Sequence, residues 1–529
     1  MMVIATALLL LAAAAAVFSS GFTTVTIWAI DAALLVWCGT RLKKRWVWVA
    51  AIALFGIAIL KAVLTPGFLR LPSAVPSVFF NLRGLALVAL AAGLAVAASF
   101  FSRLEHPEAI RVRRALDYGW IATLFLLISL VISDYFLRLM AFSFGDQKSS
   151  LGLYRNVYLS SIWMLYSLPL LWFGLKRQHP PLFLSGITMI SLSVGLGGIW
   201  SMKYSPIELF VPVINARAAL LVFLIVGILL HIQWLSSVRR RYHRLEALMH
   251  FTWGLLLFEL CTVETFDYFR RTADFAADQN RSAIVFSQFM TLAAVWMVYS
   301  LPTVRLGLAR KMRPVLYLGL WALLLSLCMA AVRGIAYEPI EKYTFLVNYR
   351  SLIILLVIAG SLVHATWIKY SGQLYGILYE ILNSLRIAIA ILILVLLIAE
   401  TRDYFQKQLY LLNAGVATAI AADSARYLEN MKQLSVSAVG LIYSLALMWI
   451  GLWRQMRTIR LIAIGLFVVA VGKLLVYDLS FLEAAYRVGA SVVLVCVLLA
   501  AAYLYRRFKG VILEESSPDE RKGSEHIII

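Results

Sequence analysis

Apolar stretches follow one another along this sequence almost without a break. Ser351–Ala365 and Arg386–Ile398, with their flanks, are examples. A hydrocarbon layer of about 30 Å is crossed by roughly 20 mostly apolar residues at about 1.5 Å per residue, and these runs recur at that length. The chain is 62% hydrophobic and 14% charged, with mean hydropathy +0.86. Soluble domains are about 45–50% apolar and 25% charged, so lipid rather than water is the expected solvent. Inside lipid each segment must satisfy its own backbone groups, which favours helices, and nothing alternates as barrel strands do. The fold class expected is all-α: a polytopic integral membrane protein of about 16 transmembrane helices.

Spans are expected at residues 3–19, 22–39, 46–64, 80–101, 117–137, 153–175, 181–200, 214–236, 247–268, 283–304, 314–332, 347–368, 379–400, 435–453, 457–475 and 484–506. Thr65-Pro66-Gly67, His179-Pro180-Pro181 and Glu338-Pro339 punctuate the linkers. The basic clusters at 41–45, 111–114, 239–241, 310–311, 454–460 and 506–507 fall in alternate loops. Positive-inside logic places those loops in the cytoplasm, and an even number of spans then leaves both termini there. The first span lacks a basic leading segment, and Ala12–Ala16 also suits a cleaved signal peptide. The net charge of +21 fits a protein facing anionic lipid, so no nucleic-acid partner is expected.

Motifs recur in fixed order at nearly one spacing. Asp-Tyr-Phe occurs at Asp134, Asp267 and Asp403, in steps of 133 and 136 residues. Tyr166-Ser167-Leu168-Pro169 returns as Tyr299-Ser300-Leu301-Pro302 and as Tyr443-Ser444-Leu445-Ala446. A glycine follows each tyrosine eight residues on, at Gly174, Gly307 and Gly451; the first copy has Gly39, with Asp31 at the tyrosine position. Asn-x-Arg appears at Asn81/Arg83, Asn215/Arg217 and Asn348/Arg350, and Arg487 keeps the arginine behind Ala485. This pattern predicts four tandem four-helix repeats, 1–104 (divergent), 105–244, 245–374 and 375–510, followed by a charged, disordered tail at 511–529. Four spans per copy keep every copy in the same orientation, so the repeats are parallel rather than inverted.

On this topology Asp-Tyr-Phe and Asn-x-Arg both lie at outer helix ends. Arg83, Arg217, Arg350 and Arg487 either pair with the repeat acids Asp134, Asp267 and Asp403, or form a row of guanidiniums for an anionic headgroup or envelope glycan. Lys61, Arg333 and Lys473 would add charge to such a row. Asp31 and Glu259 fall inside apolar spans, where a charge costs at least about 2.5–3.5 kcal/mol. They are candidate proton relays or ion ligands, or else neutral interhelical contacts. Cys38, Cys261, Cys328 and Cys496 read as packing residues, and His231, His250 and His364 follow no ligand spacing. No metal and no cofactor are expected. No phosphate loop, Walker lysine or nucleophile elbow is present in the sequence, which argues against ATP-driven transport by this chain alone.

The ending Lys473-Leu474-Leu475-Val476-Tyr477-Asp478-Leu479-Ser480, then Tyr486-Arg487 and Tyr503-Leu504-Tyr505-Arg506-Arg507-Phe508, resembles that of a bacterial predicted membrane protein family, domain of unknown function twenty-three thirty-nine. The resemblance implies a multi-span protein of the bacterial cytoplasmic membrane and supplies no activity. Three functions fit the sequence: transport or handling of an envelope-related or anionic solute, a structural or assembly role in the envelope, and a lipid-dependent glycosyltransferase using outer carboxylates such as Asp134, Glu264, Asp267 and Asp403. The first is the leading expectation, and a non-enzyme is expected over an enzyme.

Overall fold

The computed structural model describes residues 2–70, 77, 80–104, 106–203, 211–237, 239–275, 281–336, 343–371, 377–415, 419–454 and 456–478, with scattered residues between 487 and 506. Among these the chain is helical, with no strand. The helices are α1 (Met2–Phe18), α2 (Gly21–Leu42), α3 (Arg45–Leu64), α4 (Leu82–Phe101), α5 (Pro107–Ala141), α6 (Gly145–Lys176), α7 (Pro180–Lys203) and α8 (Ala216–Ser236). They continue as α9 (Arg239–Asp274), α10 (Arg281–Ala309), α11 (Arg313–Gly334), α12 (Tyr349–Tyr370), α13 (Ile377–Gly415), α14 (Ala419–Trp453) and α15 (Arg457–Lys473), which ends in a π turn over Leu474–Asp478.

The fourteen helices from α2 to α15 are long and apolar enough to cross a membrane. Helix α1, with 17 residues, is apolar but shorter. The sixteenth expected span, 484–506, lies for the most part outside the described residues, as does the tail. Several helices outrun the expected spans. Hydropathy places a crossing at 117–137, yet α5 has 35 residues, and α13 has 39 where 379–400 was expected. Hydropathy marks the hydrocarbon, whereas a helix ends only where its capping groups are met, so α5 and α13 run past their apolar stretches.

Four tight hairpins share one construction: α2–α3, α6–α7, α10–α11 and α14–α15. In each, the N–H five residues after the repeat glycine donates to that glycine's carbonyl: Lys44 to Gly39 (3.2 Å), and His179 to Gly174, Met312 to Gly307 and Met456 to Gly451 (2.9 Å each). The intervening Lys43, Gln178 and Lys311 adopt left-handed backbone, with φ of 54°, 50° and 55°. This is the helix-ending geometry that satisfies otherwise orphaned carbonyls. The glycine is there for space. A Cβ at Gly174 would stand 2.5 Å from the Phe183 nitrogen, and at Gly307, 2.6 Å from that of Leu316. At Gly39 and Gly451 the same approach, nine residues on, is to Trp48 (2.8 Å) and Arg460 (3.0 Å).

Two compact units divide the chain, residues 1–264 and 265–529. In the first, Ala29, Leu35, Phe55, Leu94 and Phe101 form one core, and Met164, Leu171, Leu221, Leu224 and Leu256 another. In the second, Met290, Met297, Ile354, Val357 and Leu392 make the largest core. Outward faces remain apolar, as at Val17, Leu461 and Val469, which suits contact with acyl chains.

Candidate functional site

The site is built at the N-termini of α4, α8 and α12. Asn81, Asn215 and Asn348 cap these helices, their Oδ1 atoms each accepting from the N–H three residues on at 2.9 Å. Each Nδ2 donates back to a carbonyl four residues earlier: Ser77 (3.1 Å), Val211 (3.3 Å) and Thr344 (3.1 Å). The asparagine therefore fixes the helix start and sets the arginine on its first turn. A cation there meets the positive end of the helix dipole, which is unfavourable. Arg83, Arg217 and Arg350 are nevertheless only 1% exposed, so negative charge must reach them.

It does, in the same way three times. Nη1 donates to a carbonyl near the end of the preceding helix: Phe68 (3.0 Å), Ser201 (3.4 Å) and Ala336 (3.4 Å). Nη2 meets a carboxylate on the following long helix. Arg83 bonds Asp134 on α5 at 2.5 Å, and Arg217 bonds Glu264 on α9 at 3.4 Å. Arg350 stands 2.9 Å from Asp403 and 3.7 Å from Glu400, both on α13.

The two glutamates also fasten the loop before the capped helix. Glu264 accepts from the Val213 N–H and from Asn215 Nδ2, both at 2.8 Å. Glu400 accepts from the Leu346 N–H (2.8 Å), Asn348 Nδ2 (2.6 Å), the Tyr343 hydroxyl (3.0 Å) and the Ser351 hydroxyl. Val213 and Leu346 occupy left-handed backbone, φ 65° and 58°. Burial, and next the bond to Glu400, raise the Tyr343 phenol above its ordinary pKa. Lys407 donates to the Tyr343 carbonyl at 2.7 Å.

Sequence reasoning missed this glutamate as a repeat element. Glu264 and Glu400 each precede Asp-Tyr-Phe by three residues, whereas Val131 stands there in the Asp134 copy. It also found no ligand spacing for His231 and His364 and missed that 133 residues, the repeat step, separate them. Both are fully buried, and Nε2 of each meets the serine of the Tyr-Ser-Leu-Pro motif, Ser167 (3.2 Å) or Ser300 (3.3 Å). Nδ1 meets a carbonyl one turn earlier, Gly227 (2.6 Å) or Gly360 (2.7 Å).

The remaining expected residues are distributed as follows. Asp267 is buried on α9, one turn beyond Glu264. Arg487 is helical and exposed. Glu259 accepts from the Ser201 hydroxyl, so it joins the Arg217 cluster instead of standing alone. Asp31 is 1% exposed and neither carboxyl oxygen has a hydrogen-bond partner. No group of three potential metal ligands occurs among the described residues. A cavity of about 680 Å³ lies against α5 and α6, lined by Tyr135, Phe136, Tyr154 and Tyr158 among others; Arg83 and Asp134 do not line it.

A further polar cluster joins α5 to the α6–α7 turn. His179 Nε2 lies 3.1 Å from Asp117 Oδ2, and the Trp120 indole donates to Asp117 Oδ1 at 3.2 Å. Burial holds the His179 imidazole below its ordinary pKa. Asp117 opposes that shift, and Arg113, Arg114 and Arg177 reinforce it.

Fold and clusters together define a multi-pass helical membrane protein in which the buried arginines Arg83, Arg217 and Arg350 face carboxylates. Residues 198–508, more than half of the chain, match the family described as Predicted membrane protein (DUF2339), and the chain belongs to it. No curated protein and no solved structure gives a significant match.

Proposed function

We propose that the arginine–carboxylate clusters are seams between successive four-helix copies, and that the protein is a structural or assembly component of the bacterial cytoplasmic membrane. The carrying observation is the partner each arginine takes. With copies at 1–104, 105–244, 245–374 and 375–510, Arg83, Arg217 and Arg350 each sit in one copy and meet an acid in the next. A ligand-binding guanidinium needs open donors towards solvent. These three are buried, and protein carbonyls and carboxylates occupy their Nη atoms. The same pairing weighs against a glycosyltransferase, because Asp134, Glu264 and Asp403 already face an arginine.

A second reading, movement of an envelope-related or anionic solute such as an anionic lipid or glycan precursor, draws on the buried acids Asp31 and Glu259 and on the aromatic cavity lined by Tyr135, Phe136, Tyr154 and Tyr158. Proteoliposomes separate the two. The seam reading expects Arg350→Gln to lower thermal stability while the wild-type protein moves no anionic solute. Solute flux by the wild type that a folded Arg350→Gln protein loses would overturn it.

A further inference from the structure

Eight acids are buried among the described residues: Asp31, Asp117, Asp134, Glu259, Glu264, Asp267, Glu400 and Asp403. Seven of them interact with other groups. Asp134, Glu264, Glu400 and Asp403 face arginines, Glu259 takes the Ser201 hydroxyl, Asp117 has Trp120 and His179, and Asp267 has an interaction of its own. Asp31 has none, for either oxygen. It lies ten residues into the 22-residue α2, about 15 Å from the helix start at 1.5 Å per residue and as deep in the hydrocarbon as that helix allows.

The packed neighbours offer no counter-charge. Helix α1 carries no ionisable side chain among its residues, α3 has only Arg45 and Lys61 at its two ends, and α4 has only Arg83, which is bonded to Asp134. On α2 itself Arg41 stands in the last turn. An isolated carboxylate in such surroundings neutralises by taking up a proton. A metal ion would need several more oxygen ligands than one aspartate supplies.

Packing needs do not explain the acid. In two other copies the same repeat position holds a tyrosine whose hydroxyl donates to a carbonyl of that copy's first helix. Tyr166 bonds Ile121 O at 3.0 Å, and Tyr443 bonds Ala390 O at 2.7 Å. Asp31 makes no such bond. It shares its buried face with Thr24 and Cys38, each two turns away along α2. Thr24 in turn meets the Ser19 hydroxyl at 2.9 Å, at the turn between α1 and α2.

We infer that Asp31 is a proton-binding site within the membrane, a neutral carboxylic acid that exchanges its proton with water by way of the Ser19–Thr24 end of α2. This site is independent of the arginine seams. Infrared spectra of the full-length protein in lipid nanodiscs at neutral pH test it. A protonated carboxylic carbonyl band is expected that shifts in heavy water, is lost in Asp31→Asn and moves in frequency in Asp31→Glu. Should the asparagine variant fail to fold, the frequency change in Asp31→Glu carries the assignment. Absence of a band assignable to residue 31 would mean an ionised, partnered aspartate and overturns the inference. A band that never shifts in heavy water would mean a sealed structural acid and overturns it equally.

Discussion

Glu264 holds the N–H of Val213 at 2.8 Å while Val213 sits at φ 65°, a conformation that a β-branched residue rarely adopts. Glu400 and Leu346 repeat the relationship at 2.8 Å and φ 58°. Left-handed backbone costs a non-glycine residue about 1–2 kcal/mol, so the carboxylate must over-determine the loop. Glu264→Ala should therefore remove a carboxylate that faces Arg217 at 3.4 Å and release Val213 together, a loss of about 3–5 kcal/mol. Glu264→Gln should lose less, since its amide oxygen still accepts the N–H. Val213→Gly should be neutral or mildly stabilising. Thermal unfolding in detergent checks all three, and an unchanged midpoint for Glu264→Ala would refute the argument.

Arg83 and Asp134 form an ion pair at 2.5 Å with both side chains almost wholly buried. Removing one partner of such a pair leaves an uncompensated charge and costs about 3–5 kcal/mol, whereas apolar replacement of both is often near neutral. Arg83→Met and Asp134→Leu should each lower the unfolding midpoint strongly. The double variant Arg83→Met/Asp134→Leu should fall less than either. A double variant whose loss equals the sum of two large single losses would show that the two side chains do not act on each other.

Much of this was legible in the sequence because periodic motifs report local backbone needs. Asn-x-Arg is a cap followed by a first-turn cation, and both roles are set within a few residues. The glycine eight residues after each tyrosine marks a helix hairpin closed nine residues later, also a local event. Spacing alone could not show which acid each arginine takes, since Arg217 and Glu264 come together only through helix packing. The sequence pointed to the Asp-Tyr-Phe acid, Asp267, whereas Glu264, one turn earlier on the same helix, also faces Arg217. Hydropathy led to sixteen expected spans, and fourteen helices among the described residues are long and apolar enough to cross; helix ends such as Pro107 and Gly415 do not follow from it, because polar flanks extend a helix without altering the apolar run.

The hairpin glycines give a contrast within one residue type. A methyl group at Gly307 would stand 2.6 Å from the backbone of Leu316, which cannot move without separating α10 from α11. At Gly195 nothing lies within 4 Å. Gly307→Ala should destabilise by about 1–3 kcal/mol, in the range of overpacking. Gly195→Ala should stabilise by up to about 1 kcal/mol through helix propensity. Paired unfolding curves measure this, and equal effects at the two positions would contradict the close approach.

His179 makes stability depend on pH in a predictable direction. Its folded pKa is lowered by burial, so between the folded and the unfolded value, the latter about 6.5, the unfolded chain binds more protons. Stability therefore rises with pH in that window. The contribution is complete above the ordinary imidazole value and is lost as pH falls towards the folded one. His179→Gln should flatten this slope. Asp117→Asn should steepen it, because Asp117 is the group that opposes the shift and its removal lowers the folded value further. Unfolding midpoints of the three proteins across mildly acidic pH decide the matter. A wild-type protein that gains stability on acidification would mean that the Asp117–His179 ion pair outweighs burial, and would reverse the assignment.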